Sequence, residues 1–266
     1  MSTTYYVRGK QDRKVQLSDA DYVASGGEKS VYAKSGTAYC VYHDPSNAVP
    51  IGKFDELKAV KHKGFVGPKS LLLDSQKRRV GETMPFVKKS FVLCQLFANS
   101  FRRKHAIDHD TDLKLISKMI EIMNAAHAAG VTLVDANDMN WLVSLDFKEV
   151  FLIDTTSCQT PSHAATAIKP AIFDPHCNKS FGVESDCYSM AVVIAWLWCG
   201  VHPFCCQHKG SKATMEEKML SGLSVFSKSA ELNAACRSPH SMPKKLGSWV
   251  KSCLESEKRP LSLIHI

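Results

Sequence analysis

The feature that most constrains this chain is its most apolar stretch, MAVVIAWLWCGV, from Met190 to Val201. It is too short to span a bilayer, which requires about 20 consecutive apolar residues in a helix. The longer segment ESDCYSMAVVIAWLWCG is apolar on nearly every face of a helix, so it predicts a core helix covered on all sides. The chain has 266 residues, enough for one large domain or two lobes around such a helix.

The predicted elements change type along the chain. SVYAK and TAYCVYH are rich in β-branched and aromatic residues and are joined through SG, which predicts a β-hairpin. SLLLD and RRVGETMPFV predict two more strands, and VPIGKFDELKAVKH predicts a helix before them. After about Lys88 the pattern is mostly helical. Strands followed by helices indicate an α+β fold, with a sheet lobe over 1–87 and a helical lobe over 88–260.

The second half contains further helical patterns and two short strand–loop–strand pieces. DLKLISKMIEIMNAAHAAG presents one apolar helical face, and Gly130 follows where a C-terminal cap belongs. MEEKMLSGL and LGSWVKSCLES predict amphipathic helices, while VTLVDANDMNWLV and EVFLIDTTS predict short strands with loops. The last six residues, LSLIHI, resemble a translated sequencing adapter, so we expect 261–266 to be a non-native tail.

Composition narrows the class of partner and the compartment. The net charge is +8, but the basic residues are scattered, which favours a solvated surface over a dedicated nucleic-acid patch. The ten cysteines include no C-x-x-C pair, so the usual spacing of a zinc site is absent. The opening MSTTYYVRGKQDRK has no apolar signal core. We therefore expect reduced thiols, a cytoplasmic location and no membrane partner.

Two loops carry residues suited to phosphate chemistry. VDANDMN places Asp135 and Asn140 on one loop, and Asp154 follows the apolar strand VFLI. Oxygen ligands beside a carboxylate base are what Mg²⁺-dependent phosphoryl transfer requires. An aspartate in a loop is more often a turn or cap residue, so the trio gains its weight from its order and flanking sequence.

These segments resemble the protein kinase family. HAAGVTLVDANDMNWLV is similar to the family's H-x-x-G-I-I-H-R-D-L-K-P-x-N-I-L loop, and VFLIDTTS is similar to the strand before D-F-G. The resemblance implies that Asp135 is the catalytic base and that Asn140 and Asp154 bind Mg²⁺. It also implies a bilobal fold, ATP as cofactor, and a serine or threonine of a protein, or of the chain itself, as acceptor.

The resemblance extends from Gly26 to Pro260 and implies two structural contacts. ESDCYSMAVVIAWLWCGVHPF looks like the kinase F helix, so Asp186 would brace the catalytic loop. Asp174 and Arg259 stand where the family has the glutamate of A-P-E and a late arginine, which predicts an ion pair. Several of these segments look closest to a divergent branch found in phages and bacteria.

Several family residues are replaced. Leu133 and Val134 stand for the His and Arg of H-R-D, and Asn137 stands for the lysine that follows. Thr155 and Thr156 replace the last two residues of D-F-G. Without the H-R-D arginine, a phosphorylated activation loop lacks its usual cationic anchor. These departures leave a pseudokinase, a scaffold without phosphoryl transfer, as the alternative to an active enzyme.

The lysine that a kinase places on its third strand is also missing, because TAYCVY has Cys40 there. Aligning Val31 with the valine of G-x-G-x-x-G-x-V puts Ala24, Gly26 and Lys29 on the three glycine positions. Residues two apart in a strand share a face, so the Lys29 ammonium would enter the space that Cys40 leaves. The with-no-lysine kinases show the same exchange, and the resemblance implies that Lys29 contacts the phosphates of ATP.

The remaining nucleotide contacts follow from the same alignment. Val31 and Ala38 would contact the adenine, and Gly26 and Gly27 would let the loop backbone approach the phosphates. Glu56 is the predicted helix partner of Lys29. Asp55 and Glu28 are its competitors for that role. The alternative is that Lys29 is a solvated loop lysine and Cys40 a packed thiol. A nucleic-acid-binding protein remains a third, weaker hypothesis from the +8 charge.

Overall fold

A computed structural model of the chain describes residues 2–178, 180–256 and 259–260. The predicted tail over 261–266 lies outside the described residues. A large antiparallel sheet comes first and helices follow, as the sequence pattern predicts. The predicted lobe boundary, between residues 87 and 88, falls between the last strand of this sheet and the next strand of the chain.

The N-terminal sheet has seven strands in the spatial order β2-β1-β6-β7-β5-β4-β3. The strands are β1 Ser2–Val7, β2 Arg13–Ser18, β3 Tyr22–Ser25, β4 Lys29–Lys34, β5 Thr37–Tyr42, β6 Ser70–Leu73 and β7 Arg79–Pro85. The predicted hairpin of β4 and β5 turns at Ser35 and Gly36, whose φ angles are 50° and 79°. Two positive φ values give the turn the twist that antiparallel strands require.

One helix interrupts the sheet. Helix α1 spans Ile51–Leu57 and is shorter than the predicted segment, because its backbone leaves helical hydrogen bonding after Lys58. It turns Lys53, Phe54 and Leu57 inward, where all three are buried. The orientation of α1 is therefore set by this buried face.

The rest of the chain is mainly helical. The helices are α2 Asn99–His105, α3 His109–Ala128, α4 Val183–Cys199, α5 Met215–Ser221 and α6 Lys244–Glu255. The strands are β8 Ser90–Val92, β9 Trp141–Ser144, β10 Val150–Leu152, β11 Gln207–His208 and β12 Ala230–Glu231. Strands β8, β9 and β10 form one small sheet, and β11 pairs with β12. Helix α2 has no counterpart among the predicted elements.

Helix α4 is the predicted core helix, and it is buried along nearly its whole length. It packs against α3 and α6 in the largest apolar cluster of the described residues. Its predicted end is confirmed, since Gly200 adopts a left-handed conformation with φ 79°. Gly130, with φ 73°, likewise follows the end of α3. Within the described ranges, none of the helices combines the length and hydropathy needed to span a bilayer.

The predicted ion pair between Asp174 and Arg259 is confirmed. Arg259 Nη2 lies 2.8 Å from Asp174 Oδ1, and Arg259 Nε lies 3.1 Å from Asp174 Oδ2. Both side chains are 3% exposed, so the pair is fully desolvated. The bidentate geometry offsets the cost of removing the two charges from water.

We expect Asp174→Asn to lower the free energy of unfolding by about 3 kcal/mol, because it leaves the buried Arg259 cation without a counter-charge. Lys63→Ala is the control, since it breaks an exposed ion pair with Glu149 and should cost less than about 1 kcal/mol. Urea denaturation of both variants measures the difference. Equal losses in the two variants would contradict this account of the buried pair.

Candidate functional site

An apolar cleft lies where β4, β5 and β7 face β10. Its buried members are Ala38, Cys40, Val66 and Met84, and its partly buried members are Val31, Phe86, Val87, Phe151 and Ile153. The structure thus brings together the two predicted adenine contacts, Val31 and Ala38. A cleft lined by apolar side chains from two sheets suits a flat aromatic base.

The glycine-containing loop connects β3 to β4 at one edge of this cleft. Gly26 N–H donates to the carbonyl of Lys29 at 2.9 Å, which closes the turn. A Cβ atom added at Gly27 would meet no heavy atom within 4 Å, and one at Gly26 would meet only the Lys29 carbonyl oxygen, at 3.9 Å. The backbone here is open to approach by a ligand. Ala24 is exposed on β3 and pairs with Val31 across the ladder.

The Lys29 side chain reaches from β4 into the cleft. Its ammonium group lies 2.7 Å from Thr156 Oγ1, 3.3 Å from Asp154 Oδ1 and 3.4 Å from Glu82 Oε1. Only 12% of the side chain is exposed. Burial alone would lower the pKa of Lys29, but the Glu82 and Asp154 carboxylates outweigh it and raise the pKa above its ordinary value. The alternative of a solvated loop lysine is therefore wrong.

Cys40 lies on β5, next to the strand that carries Lys29, and is 3% exposed. Burial raises the pKa of its thiol to about 12, so the side chain is neutral at pH 7. Its ladder partners are Val31 on one side and Glu82 on the other. Cys40 is therefore a small, uncharged side chain between two strands that carry opposite charges.

Glu56 is not the partner of Lys29, so this prediction is wrong. The Glu56 carboxylate accepts hydrogen bonds from the Ser162 amide at 3.3 Å and from His163 Nδ1 at 3.1 Å. Hydrogen bonds from Thr160 and Ser162 hold its pKa at about 2. The inward face of α1 is occupied by Lys53, Phe54 and Leu57, which leaves Glu56 on the side facing 160–163.

Neither competitor for that role contacts Lys29 among the described residues. Asp55 pairs with Lys58 at 3.1 Å, and Glu28 is not within ion-pair distance of Lys29. The carboxylate that pairs with Lys29 from within its own sheet is Glu82, which the sequence reasoning missed. The available signal was a glutamate within the predicted strand RRVGETMPFV, two residues before Met84 and so on the same face.

Asp135 lies on the loop between α3 and β9. Its Oδ1 accepts hydrogen bonds from the Lys169 amide at 2.8 Å and from Asn137 Nδ2 at 3.0 Å. Among the described residues, its Oδ2 has one polar contact, at 3.5 Å from Asn140 Nδ2. Burial raises the pKa of Asp135 above its ordinary value, and the two hydrogen bonds offset only part of the rise.

Asn140 and Asp154 are the two predicted metal ligands. Asn140 Nδ2 donates to the Asp135 carbonyl at 2.8 Å, and its Oδ1 accepts no hydrogen bond from the described residues. Asp154 follows β10 with φ 55°, and its side chain is 47% exposed. Hard oxygen donors of this kind suit Mg²⁺. The described residues hold no cluster of three or more His, Cys, Asp or Glu side chains fit for a metal, so a cation here would need phosphate oxygens or water to complete its coordination.

Asp186 braces the catalytic loop, as predicted. Its Oδ2 accepts from the Leu133 amide at 2.7 Å and lies 2.8 Å from His127 Nε2, while its Oδ1 accepts from the Val134 amide at 2.8 Å. Val134 has φ 58°, which is costly for a β-branched residue. The carboxylate of α4 therefore holds a strained loop through backbone amides and does not depend on the side chains at 133 and 134.

We expect Asp186→Ala to lower the free energy of unfolding by about 3 kcal/mol, because it leaves two buried amides without an acceptor. The control is Glu184→Ala, an exposed position in the first turn of the same helix, which should change stability by less than about 0.5 kcal/mol. Chemical denaturation of both variants is the measurement. A loss below about 1 kcal/mol in Asp186→Ala would contradict the bracing role.

Comparisons with known proteins identify the fold. No protein-family model and no curated protein sequence matches this chain. A rhoptry kinase from Toxoplasma gondii is similar in structure, with 14% sequence identity and a TM-score of 0.67 over 98% of this chain and 79% of that one. ROP2 from Toxoplasma gondii has 17% identity and a TM-score of 0.67 over 98% of this chain and 80% of its own. The ROP18 kinase domain in complex with AMP-PNP and sucrose has 12% identity and a TM-score of 0.65 over 97% of this chain and 78% of its own. ROP2 is described as having a protein-kinase fold and no enzymatic activity. At these identities the likeness shows the fold alone. The chain has a bilobal α+β fold of the protein kinase type, and the phage or bacterial branch stays a prediction.

Proposed function

We propose that this chain is an ATP- and Mg²⁺-dependent phosphotransferase that transfers the γ-phosphate to a serine or threonine hydroxyl of a protein, itself included. The observation that carries the proposal is the position of the Lys29 ammonium, buried in the cleft 3.3 Å from Asp154 Oδ1. It places a fixed positive charge beside the predicted metal ligand, although the usual lysine is replaced by Cys40. The neighbour in complex with AMP-PNP supports nucleotide binding by this fold.

Lys29 would bind the phosphates as a compact point charge on a flexible stem. Its contacts with Asp154 and Thr156 occupy the ammonium group in the present structure. Phosphate oxygens carry more negative charge than a hydroxyl, so bound ATP would compete well for the ammonium. The open backbone at Gly26 and Gly27 leaves room for the phosphates above it.

Asp135 would act on the acceptor hydroxyl. Its Oδ1 accepts two hydrogen bonds, which fix the carboxylate. Its Oδ2 makes one long contact, with Asn140, within the part of the chain that the structure describes. An acceptor hydroxyl would donate to Oδ2 and transfer its proton there as its oxygen attacks the γ-phosphorus. The bond from that phosphorus to the β-phosphate oxygen would break, and ADP would leave. A fixed acceptor of this kind supplies orientation together with general-base assistance.

Asn140 Oδ1 and the Asp154 carboxylate would hold Mg²⁺, since both are oxygen donors with open coordination sites. The ion would neutralise charge on the transferring phosphoryl group. Asp154 forms an ion pair with Lys29 in the structure. The anion that would bind the metal and the cation that would bind the phosphate therefore lie side by side.

A pseudokinase is the second candidate, favoured by the substitutions at Leu133, Val134 and Asn137 and by the inactive neighbour ROP2. In that case the cleft would bind nucleotide without transferring phosphate. The two candidates differ in one measurable property, since both allow ATP to stabilise the protein but only the first allows a phosphorylated product.

We expect wild-type chain to transfer phosphate from labelled ATP with Mg²⁺ to a generic protein substrate or to itself. Asp135→Ala should lower the rate by about 10³-fold with ATP affinity largely retained, because the base contacts the acceptor and not the nucleotide. Lys29→Ala should lower both ATP affinity and rate, and Lys58→Ala, at an exposed lysine directly after α1, should lower neither. Unchanged turnover in Asp135→Ala would contradict the assignment. ATP binding without transfer in the wild type would favour the scaffold.

A lysine returned to the third strand should replace Lys29. Cys40 pairs with Glu82 in the ladder, so a lysine there would point at the same carboxylate. We expect the double variant Lys29→Ala, Cys40→Lys to regain at least about tenfold of the rate lost in Lys29→Ala, since one charge–phosphate contact is worth that much. The control is Lys29→Ala, Val41→Lys, because Val41 points to the opposite face of the sheet. Equal activity in both double variants would contradict this geometry.

A further inference from the structure

The structure assigns to Glu82 the role of positioning residue for Lys29, a role taken by the sheet and not by helix α1. The inference rests on the proposed function, because it concerns how the phosphate-binding lysine of that site is held. Its consequence is that the ammonium keeps its carboxylate partner wherever α1 lies.

Glu82 is built into the sheet as a fixed anion. Its side chain is 0% exposed, and its Oε2 accepts a hydrogen bond from Tyr42 Oη at 2.7 Å and lies 3.5 Å from Arg79 Nη2. Its Oε1 faces Lys29 Nζ at 3.4 Å. Two neighbours on β5 and β7 therefore orient the carboxylate, and its second oxygen is directed to the lysine.

The strand register explains how these two residues meet. Residues directly opposite one another in adjacent strands share a face, and Val31, Cys40 and Glu82 form one such row across β4, β5 and β7. Lys29 is two residues from Val31 and lies on the same face. β4 and β7 are two strand spacings apart, about 10 Å, and the long side chains cross this gap over Cys40. A small residue at position 40 is thus a geometric requirement of the pair.

Helix α1 makes different contacts. Its buried lysine, Lys53, is 1% exposed and donates to the Ala164 carbonyl at 3.0 Å. Glu56 contacts His163, and a Cβ atom at Gly52 would lie 2.9 Å from His163 Cε1. The inward charge that α1 brings is therefore positive and repels the Lys29 ammonium. The helix holds the segment 160–164 and supplies no counter-ion to the described Lys29 side chain.

The pairing of Lys29 with Glu82, and not with a residue of α1, has a consequence for regulation. A displacement of α1 would release the segment 160–164, which leads to the Lys169 amide that holds Asp135. It would leave the Lys29–Glu82 pair intact, because both residues belong to the seven-stranded sheet. Control through α1 would thus act on the acceptor side of the site and not on the phosphate-binding lysine.

The test uses an acyl phosphate of ATP on the full chain. The lysine amine attacks the acyl carbon, the bond from that carbon to the phosphate oxygen breaks, ATP leaves, and the nitrogen loses a proton. Mass spectrometry then gives the acylated fraction of each lysine. We expect Lys29 to be acylated in the wild type and equally in Glu56→Gln. In Glu82→Gln it should be acylated about tenfold less, because the Lys29 side chain is then no longer held beside the acyl phosphate.

Three controls separate positioning from folding. Binding of adenosine, which has no phosphates, should be the same in Glu82→Gln and wild type. Tyr42→Phe removes one hydrogen bond to Glu82 but keeps the carboxylate and its contact with Arg79. It should therefore lower the melting temperature and keep Lys29 acylation. If Glu82→Gln does not fold, Glu82→Asp serves in its place, and its shorter side chain should give an intermediate loss of acylation.

Two results would overturn the inference: Lys29 acylation unchanged in a folded Glu82 variant, or acylation lost in Glu56→Gln. Absence of Lys29 acylation in the wild type would also overturn it, since the lysine would then not face the phosphates. Acylation of Lys29 with no phosphate transfer to any hydroxyl would leave the Glu82 assignment standing and reject the phosphotransferase. The two proposals therefore fail through different readouts.

Discussion

The ammonium group of Lys29 joins the two lobes of this protein. It extends from β4 in the sheet and meets Asp154 and Thr156, which follow β10 in the helical lobe. Glu82 holds it from the sheet side. The contact spans the cleft, so the loop that carries Asp154 and the strand that carries Lys29 are brought together. Lys29 thus supplies a positive charge here, although position 40 on β5 is a cysteine.

The helical lobe supports the same site from below. Asp186, at the start of the core helix α4, holds two amides of the catalytic loop, and that loop carries Asp135 and Asn140. Two buried carboxylates therefore support the site: Glu82 in the sheet contacts Lys29, and Asp186 in α4 holds the loop of Asp135 and Asn140. A buried anion is costly unless it is paired, and here the pairing also orients the functional group.

Those parts of the fold that depend on local sequence patterns, and the contacts that depend on matched motifs, could be predicted from the sequence. The α+β division and the core helix follow from patterns along the chain. The contacts of Asp186 and Asp174 join residues far apart in sequence, and the resemblance to the protein kinase family implied them. The Lys29–Glu82 pair was missed because it depends on the register between β5 and β7, which pairs Cys40 with Glu82 and which no matched motif gives. Glu56 was the wrong partner because the rotation of α1 is decided by which of its residues become buried, and spacing alone does not give that.

The most direct test of the central claim, that Lys29 is a phosphate-binding lysine moved to the glycine loop, is a crystal structure with a non-hydrolysable ATP analogue and Mg²⁺. The account predicts Lys29 Nζ within hydrogen-bonding distance of a phosphate oxygen, still paired with Glu82, with Asp154 and Asn140 Oδ1 turned to the metal. Phosphates bound by another cation such as Lys53, with Lys29 still on Asp154, would contradict it.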